Sequence, residues 1–172
     1  EKKIILNVGR LSMQKDQRTL IDAFSKVSPL LDDWELHIYG DGDLKAELES
    51  HVETKKLEGR VKFMGVSTDI GWVYSNADIF VISSRYEALG LATAEAMQYG
   101  LPVVGFLDCP GTNELIEDGV SGILVDPKND RANSLAEVMK NLMLNEHLRR
   151  EIGINSRRLI RKRFCNEMVY SE

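Results

Sequence analysis

Two glutamates, Glu87 and Glu95, stand eight residues apart on either side of Gly90. Glu87 lies in the polar stretch 83–89, and Glu95 lies in a segment of helical period that begins near Gly90. The first amides of such a helix lack acceptors inside it, so they and the helix dipole form an anion site. We interpret the two carboxylates as acceptors for sugar hydroxyls on either side of a diphosphate. A plainer alternative stays open, in which Glu87 is a loop charge and Glu95 a solvated helix residue.

Two cations, Arg10 and Lys15, flank the polar loop that follows the first apolar run of the chain. Together they would neutralise a diphosphate that helix amides compensate only in part. The alternative is an Arg and a Lys on an ordinary surface loop. The two cations lie at the same edge of the predicted sheet as the helix N-terminus near Gly90, which could bind an anion. This shared location favours the phosphate interpretation.

The stretch 40–43 reads Gly-Asp-Gly-Asp and resembles two motifs without matching either. It is not the dinucleotide-binding fingerprint, because Lys45 stands where a third glycine is needed. It contains Asp-x-Asp, a metal-binding pattern elsewhere, but no third ligand accompanies the two aspartates. We interpret the stretch as a tight turn in which Asp43 caps the following helix, and we predict no metal site.

The elements that position these residues alternate between short apolar strands and longer segments of helical period, which is typical of βαβ units. The sequence therefore predicts an α/β fold, a Rossmann-like open parallel sheet of about six strands with helices on both faces. A short helix is also predicted over 111–117. Ligands of such sheets bind beyond the carboxyl ends of the strands. The predicted strands are 3–8, 34–39, 61–64, 78–82, 102–106 and 123–125.

The composition limits the classes of protein to which the chain can belong. Its 172 residues suffice for one domain, which we assign to residues 1–172. A net charge of −5 argues against a nucleic-acid partner. No apolar run approaches the roughly 20 residues of a membrane span. Two distant cysteines, Cys109 and Cys165, favour a reducing, cytoplasmic compartment.

Along its whole length the chain resembles the C-terminal domain of the family 4 (group 1) glycosyltransferases, which have the GT-B fold of two facing Rossmann-like domains. The most specific stretch is 87–104, which holds the family's Glu-x7-Glu signature between a strand and a helix. Two departures stand out, because Leu89 replaces an aromatic residue and Asp16 stands where glycine is common. The other matching stretches are 7–11, Lys15, Leu20, 38–42, 61–65, 77–81, 84–87, 111–116, Gly119 and 122–125.

The resemblance implies a role for each candidate residue. Glu87 would bind donor-sugar hydroxyls and is the one catalytic candidate, although we assign it no role as a nucleophile. Glu95 would hold the ribose hydroxyls, and Gly42 would allow close approach of the ligand near the base. The remaining donor-binding residues would contact the diphosphate, through the side chains of Arg10 and Lys15 and the amides of Ala88, Leu89 and Gly90.

The family's reaction moves a sugar from a nucleotide-diphosphate sugar, here expected to be a UDP-sugar, to an acceptor hydroxyl. It retains the anomeric configuration, needs no cofactor or metal, and serves polysaccharide or glycolipid synthesis. An N-terminal domain would bind the acceptor glycan or lipid-linked sugar. Because the chain opens directly on a strand without a methionine, we expect it to be the C-terminal half and to transfer no sugar alone.

Two other functions remain alternatives. A nucleotide-sugar epimerase of the same two-domain plan would use similar phosphate contacts without an acceptor. A non-catalytic module would bind a partner or a membrane surface, and a basic segment over 149–163 fits anionic lipid. The expected location is the cytoplasm, with peripheral contact at the inner face of the membrane as a further hypothesis. The basic residues of this segment are Arg149, Arg150, Arg157, Arg158, Arg161, Lys162 and Arg163.

Overall fold

The computed structural model describes residues 1–169 and contains six strands among seven helical segments. The strands are β1 (Lys3–Val8), β2 (Trp34–Tyr39), β3 (Val61–Gly65), β4 (Ile79–Val81), β5 (Val103–Phe106) and β6 (Gly122–Val125). The α-helices are α1 (Gln17–Val27), α2 (Lys45–Thr54), α3 (Ile70–Ser75), α4 (Leu91–Gln98), α5 (Arg131–Leu144) and α6 (Glu146–Val169), and a 3-10 helix spans Ser28–Leu30.

The strands form one parallel sheet in the order β3-β2-β1-β4-β5-β6. Helices α1, α2 and α5 supply one apolar core and α3 and α4 the other. Helix α6 contributes Ile152 to the first core and Ile160 to the second. The Rossmann-like open sheet with helices on both faces is therefore confirmed, and every strand begins and ends within one residue of its prediction.

The topology places the candidate residues at one edge of the sheet. Strands β1 and β4 are neighbours in the middle of the sheet, where the strand order reverses direction. The loop after β1 carries Arg10 and Lys15, and the loop after β4 carries Glu87 and leads into α4. Residues 72 positions apart in the chain thus meet at a single crevice, as the carboxyl ends of parallel strands require.

Two local predictions were wrong. Residues 111–115 form turns rather than a helix, because Gly111 takes a φ of +83° so that the loop after β5 can pass close to the loop after β4. Asp43 does not cap α2, which begins at Lys45 with Leu44 as its N-cap and without a side-chain capping bond. The Asp43 carboxylate is exposed and lies 3.8 Å from the Arg10 guanidinium.

Within residues 1–169, no helix is both long enough and apolar enough to cross a membrane.

Candidate functional site

The candidate site is an open cleft of about 530 Å³ beyond the carboxyl ends of β1 and β4. Seven of the eight donor-binding candidates from the sequence line it, and Gly42 does not. The cleft is bordered by the end of β1 and its loop, the loop after β4, and the first turns of α4. Its lining residues are Val8, Gly9, Arg10, Gln14, Lys15, Glu87, Ala88, Leu89, Gly90, Leu91, Ala92 and Glu95.

An ion pair between Lys15 and Glu87 occupies the floor of this cleft. The Lys15 Nζ donates to both carboxylate oxygens of Glu87, at 2.6 Å and 2.8 Å. The two side chains are only 19% and 10% exposed, so water screens the pair far less than it screens a surface pair. The Ser84 hydroxyl donates to Oε1 of the same carboxylate. Glu87 is thus held in one orientation, with its charge balanced by a lysine.

Asp16, the residue after Lys15, links the loop after β1 to α1 and to the loop after β4. Its backbone is left-handed, with a φ of 47°, a conformation that glycine adopts without a steric penalty and that is consistent with the glycine expected here from the resemblance. The carboxylate compensates by accepting from the amide and hydroxyl of Thr19, which caps α1. It also accepts from Arg85 Nε at 2.7 Å, and Ser83 donates to the Lys15 carbonyl at 2.8 Å. These bonds join the two loops.

The loop after β5 supports Glu87 from its other side. The Glu87 amide donates to the Pro110 carbonyl at 2.9 Å. A side chain at Gly111 would place its Cβ 2.1 Å from the Glu87 carbonyl oxygen, so only glycine permits this approach. The backbone of Glu87 is therefore fixed by a third strand end, in addition to the ion pair that holds its side chain.

Helix α4 presents its N-terminus to the cleft. Gly90 is the N-cap, with a left-handed backbone, and no side chain among the described residues caps the helix. The amides of Leu91 and Ala92, in the first turn, have no acceptor within the helix and line the cleft. Ala88 and Leu89 precede them as exposed residues of the same wall. Partial positive charge thus faces the cleft beside the Lys15 ammonium.

Glu95 lies one turn further along α4, exposed at the cleft wall. Its Oε2 accepts a hydrogen bond of 2.9 Å from the hydroxyl of Tyr74 on α3. Burial, and next the charge of Glu95, raise the pKa of Tyr74 well above its usual value. The phenol therefore remains a protonated donor at any ordinary pH. Glu95 is thus an exposed residue on the helix surface, as the plainer alternative requires, and it is also hydrogen-bonded to Tyr74 at the cleft wall.

The two remaining candidates, Arg10 and Gly42, lie at the margin of the cleft. The Arg10 side chain is 67% exposed, and its one polar contact within the described part of the chain is a long one with Asp43, so it can turn toward a ligand. At Gly42 an added Cβ would lie 2.3 Å from the carbonyl oxygen of Leu11. Glycine is thus required by contact between the loops after β1 and β2. Close approach of a ligand at Gly42 stays a prediction.

Three residues that shape the site were missed as site residues by sequence reasoning: Tyr74, Ser84 and Asp16. Tyr74 is one aromatic residue in a short apolar helix, and only the packing of α3 on α4 brings it to Glu95. Ser84 precedes Glu87 in the same loop, so a hydrogen bond from its hydroxyl to the carboxylate could have been expected from the sequence. Among the residues that the structure describes, no group of three His, Cys, Asp or Glu side chains is placed to hold a metal ion.

A strand-end crevice with a helix N-terminus and a partly buried cation is the arrangement of α/β proteins that bind phosphorylated ligands. The comparison with protein families defines the class more closely. Residues 1–159 match the model of the glycosyl transferases group 1. The chain belongs to this family.

Individual relatives agree with this assignment. An uncharacterized glycosyltransferase of Haemophilus influenzae is 31% identical over 144 residues, which are 84% of this chain and 39% of the relative. A crystal structure of a TarM mutant from S. aureus, in complex with fondaparinux, alpha-GlcNAc-glycerol and UDP, superposes with a TM-score of 0.91 and 29% identity. The superposition covers 99% of this chain and 34% of TarM.

A solved C-terminal domain has nearly the same extent as this chain. It belongs to LpcC, a group 1 glycosyl transferase family protein of Francisella tularensis, and superposes with a TM-score of 0.83 and 27% identity. The superposition covers 94% of this chain and 86% of that domain. By contrast, the chain spans only about 40% of the length of the first curated relatives it matches.

Because the Lys15–Glu87 pair is largely buried, we expect it to be strongly coupled. In a double-mutant cycle of Lys15→Met and Glu87→Gln followed by urea unfolding, the coupling energy should be about 1–3 kcal/mol, since either single change leaves a charge without its partner. The matched control is Lys3→Met with Asp33→Asn, a pair of 2.8 Å that is 40% and 52% exposed. Its coupling should stay below about 1 kcal/mol. Equal coupling in the two cycles would contradict a buried, structural pair.

Proposed function

We propose that this chain binds the donor of a glycosyltransferase, a UDP-sugar, and that the enzyme built on it moves the sugar to an acceptor hydroxyl. The observation that carries the proposal is the meeting of the Lys15–Glu87 pair with the open N-terminus of α4 in one cleft. Family membership favours transfer over the epimerase alternative. UDP in the TarM complex supports the choice of nucleotide.

Different parts of the cleft would bind the diphosphate, the sugar and the ribose of such a donor. Its diphosphate would lie at the N-terminus of α4 beside the Lys15 ammonium. The amides of Ala88, Leu89 and Gly90, which are the donors expected from the sequence, would contact it there together with those of Leu91 and Ala92. Arg10, which is free at the margin, would close over the same group. Glu87 and Glu95 would accept hydrogen bonds from hydroxyls of the sugar and of the ribose.

Donor binding would change the ion pair between Lys15 and Glu87. Lys15 already satisfies both oxygens of Glu87, so a diphosphate must draw the ammonium toward itself. Donor-sugar hydroxyls would then replace Lys15 as donors to Glu87. When the glycosidic bond breaks, the negative charge grows on the leaving diphosphate, where Lys15, Arg10 and the α4 amides would stabilise it without a metal ion. In this scheme Glu87 binds and orients the sugar and forms no bond with it.

In this proposal the acceptor binds to a part of the enzyme outside this chain. The extent shared with the LpcC C-terminal domain supports a donor-binding half of a two-domain protein. The acceptor glycan or lipid-linked sugar of a polysaccharide or glycolipid pathway would then bind mainly to the other half.

Calorimetric titration of the chain with UDP in the presence of EDTA tests the donor site. We expect measurable binding, with affinity reduced at least about fivefold by Lys15→Ala and by Glu95→Ala, because each change removes a charge-assisted hydrogen bond. Lys140→Ala and Glu137→Ala, both on exposed positions of α5, change the net charge equally and should leave affinity unaltered. The site is misplaced if the cleft variants bind UDP as tightly as these controls.

We also propose a peripheral contact between α6 and an anionic membrane. Four exposed cations, Arg157, Arg158, Arg161 and Lys162, support it. Arg150 is exposed as well but pairs with Glu146 at 2.7 Å. Arg149 does not support it, because it is buried and donates to the last carbonyls of α5. The basic surface is thus smaller than the sequence indicates.

Co-sedimentation with vesicles of anionic phospholipid tests this contact. Reversal of Arg157, Arg158 and Arg161 to glutamate should reduce the bound fraction at least about tenfold, because each basic residue near such a surface contributes on the order of 1 kcal/mol. The control replaces the exposed Lys26, Lys45 and Lys140 by glutamate, which changes the net charge of the chain by the same amount. Identical loss in both triple variants would indicate nonspecific attraction and refute a contact through α6.

A further inference from the structure

Tyr74 connects two helices at the wall of the cleft. It lies on α3, is 1% exposed, and directs its hydroxyl to Glu95 Oε2 on α4, at 2.9 Å. A second, longer contact of 3.4 Å reaches the carbonyl of Ala92 in the first turn of α4. The hydroxyl therefore touches both the carboxylate and the backbone of the helix end that faces the cleft.

The ring of Tyr74 is fixed by its neighbours. It stacks on Tyr99, with centroids 5.5 Å apart and planes 15° from parallel. On another side it meets Phe80 of β4, with centroids 6.0 Å apart. Because a packed phenol has little freedom, its hydroxyl marks a fixed point relative to the central strands of the sheet.

Glu95 itself has no such constraint from its own helix. It is exposed, and a glutamate on a helix surface samples several rotamers at an entropic cost of up to about 2 kcal/mol when it is ordered. The Tyr74 hydroxyl selects one of them before any ligand arrives. The other oxygen, Oε1, accepts no hydrogen bond from residues 1–166 and stays available to a ligand.

We propose that Tyr74 is a positioning residue that holds Glu95 for the paired 2′ and 3′ hydroxyls of a ribose, and so makes the site selective for ribonucleotides. The proposal rests on the role of Glu95 in the proposed function. A carboxylate accepts hydrogen bonds and donates none, so a sugar without these hydroxyls gains nothing from it. Preorganisation by Tyr74 strengthens only the contacts that ribose makes.

The test compares the affinities of UDP and 2′,3′-dideoxy-UDP by calorimetry. Tyr74→Phe keeps the stacked ring and removes only the hydroxyl. It should lower UDP affinity about fivefold and leave dideoxy-UDP affinity unchanged, so that selectivity falls by the same factor. The matched control, Tyr99→Phe, removes the hydroxyl of the stacking partner and should change neither affinity. Equal loss for both nucleotides, or unchanged selectivity, would overturn the positioning role.

Two further variants separate this proposal from the donor site itself. Glu95→Ala should abolish the selectivity, and Tyr74→Phe should have no further effect in that background. Glu95→Asp leaves Tyr74 intact but withdraws the carboxylate, and it should lower selectivity as Tyr74→Phe does. If Glu95→Ala keeps full selectivity, the ribose role of Glu95 fails and the proposed function with it. If Glu95→Ala abolishes selectivity while Tyr74→Phe and Glu95→Asp retain it, only the positioning role fails.

Discussion

A salt bridge between Lys15 and Glu87 joins the two loops on which the cleft depends. The residues are 72 positions apart and approach only because β1 and β4 are neighbours in the sheet. Asp16 and Ser83 add bonds between the same loops. The interaction also determines the charge of the cleft. Lys15 neutralises the Glu87 carboxylate, which would otherwise repel phosphate, and in the proposed function the Lys15 ammonium moves to the phosphate of the donor.

The same constraint explains the unusual backbone of the surrounding loops. Gly111 approaches the Glu87 carbonyl more closely than a residue with a side chain could, and Asp16, next to Lys15, has a left-handed backbone. In Asp16 the chain uses a residue less permissive than glycine, and its side chain caps α1 and binds Arg85. The strained backbone of Asp16 is thus offset by the hydrogen bonds of its own side chain. These bonds make the loop more rigid than a glycine at this position would.

The strands could be predicted because each is a short apolar run whose burial follows directly from its composition. The shared edge of the cleft residues could be predicted because the carboxyl ends of parallel strands lie at one edge of a sheet. The contact between Lys15 and Glu87 also required the order of the strands, which places β1 beside β4. Failures occurred where contacts between distant segments decide the outcome. Such contacts keep 111–115 in turns, bury Arg149 against the end of α5, and place Tyr74 beside Glu95. No periodic pattern encodes these three features.

The most direct test of the central claim is a crystal structure of the chain with UDP bound. We expect the diphosphate over the first turn of α4, with Lys15 Nζ withdrawn from at least one oxygen of Glu87 and within hydrogen-bond distance of a phosphate oxygen. Glu95 should contact the ribose hydroxyls. UDP bound outside the cleft, or in it with Lys15 still on both oxygens of Glu87, would contradict the account.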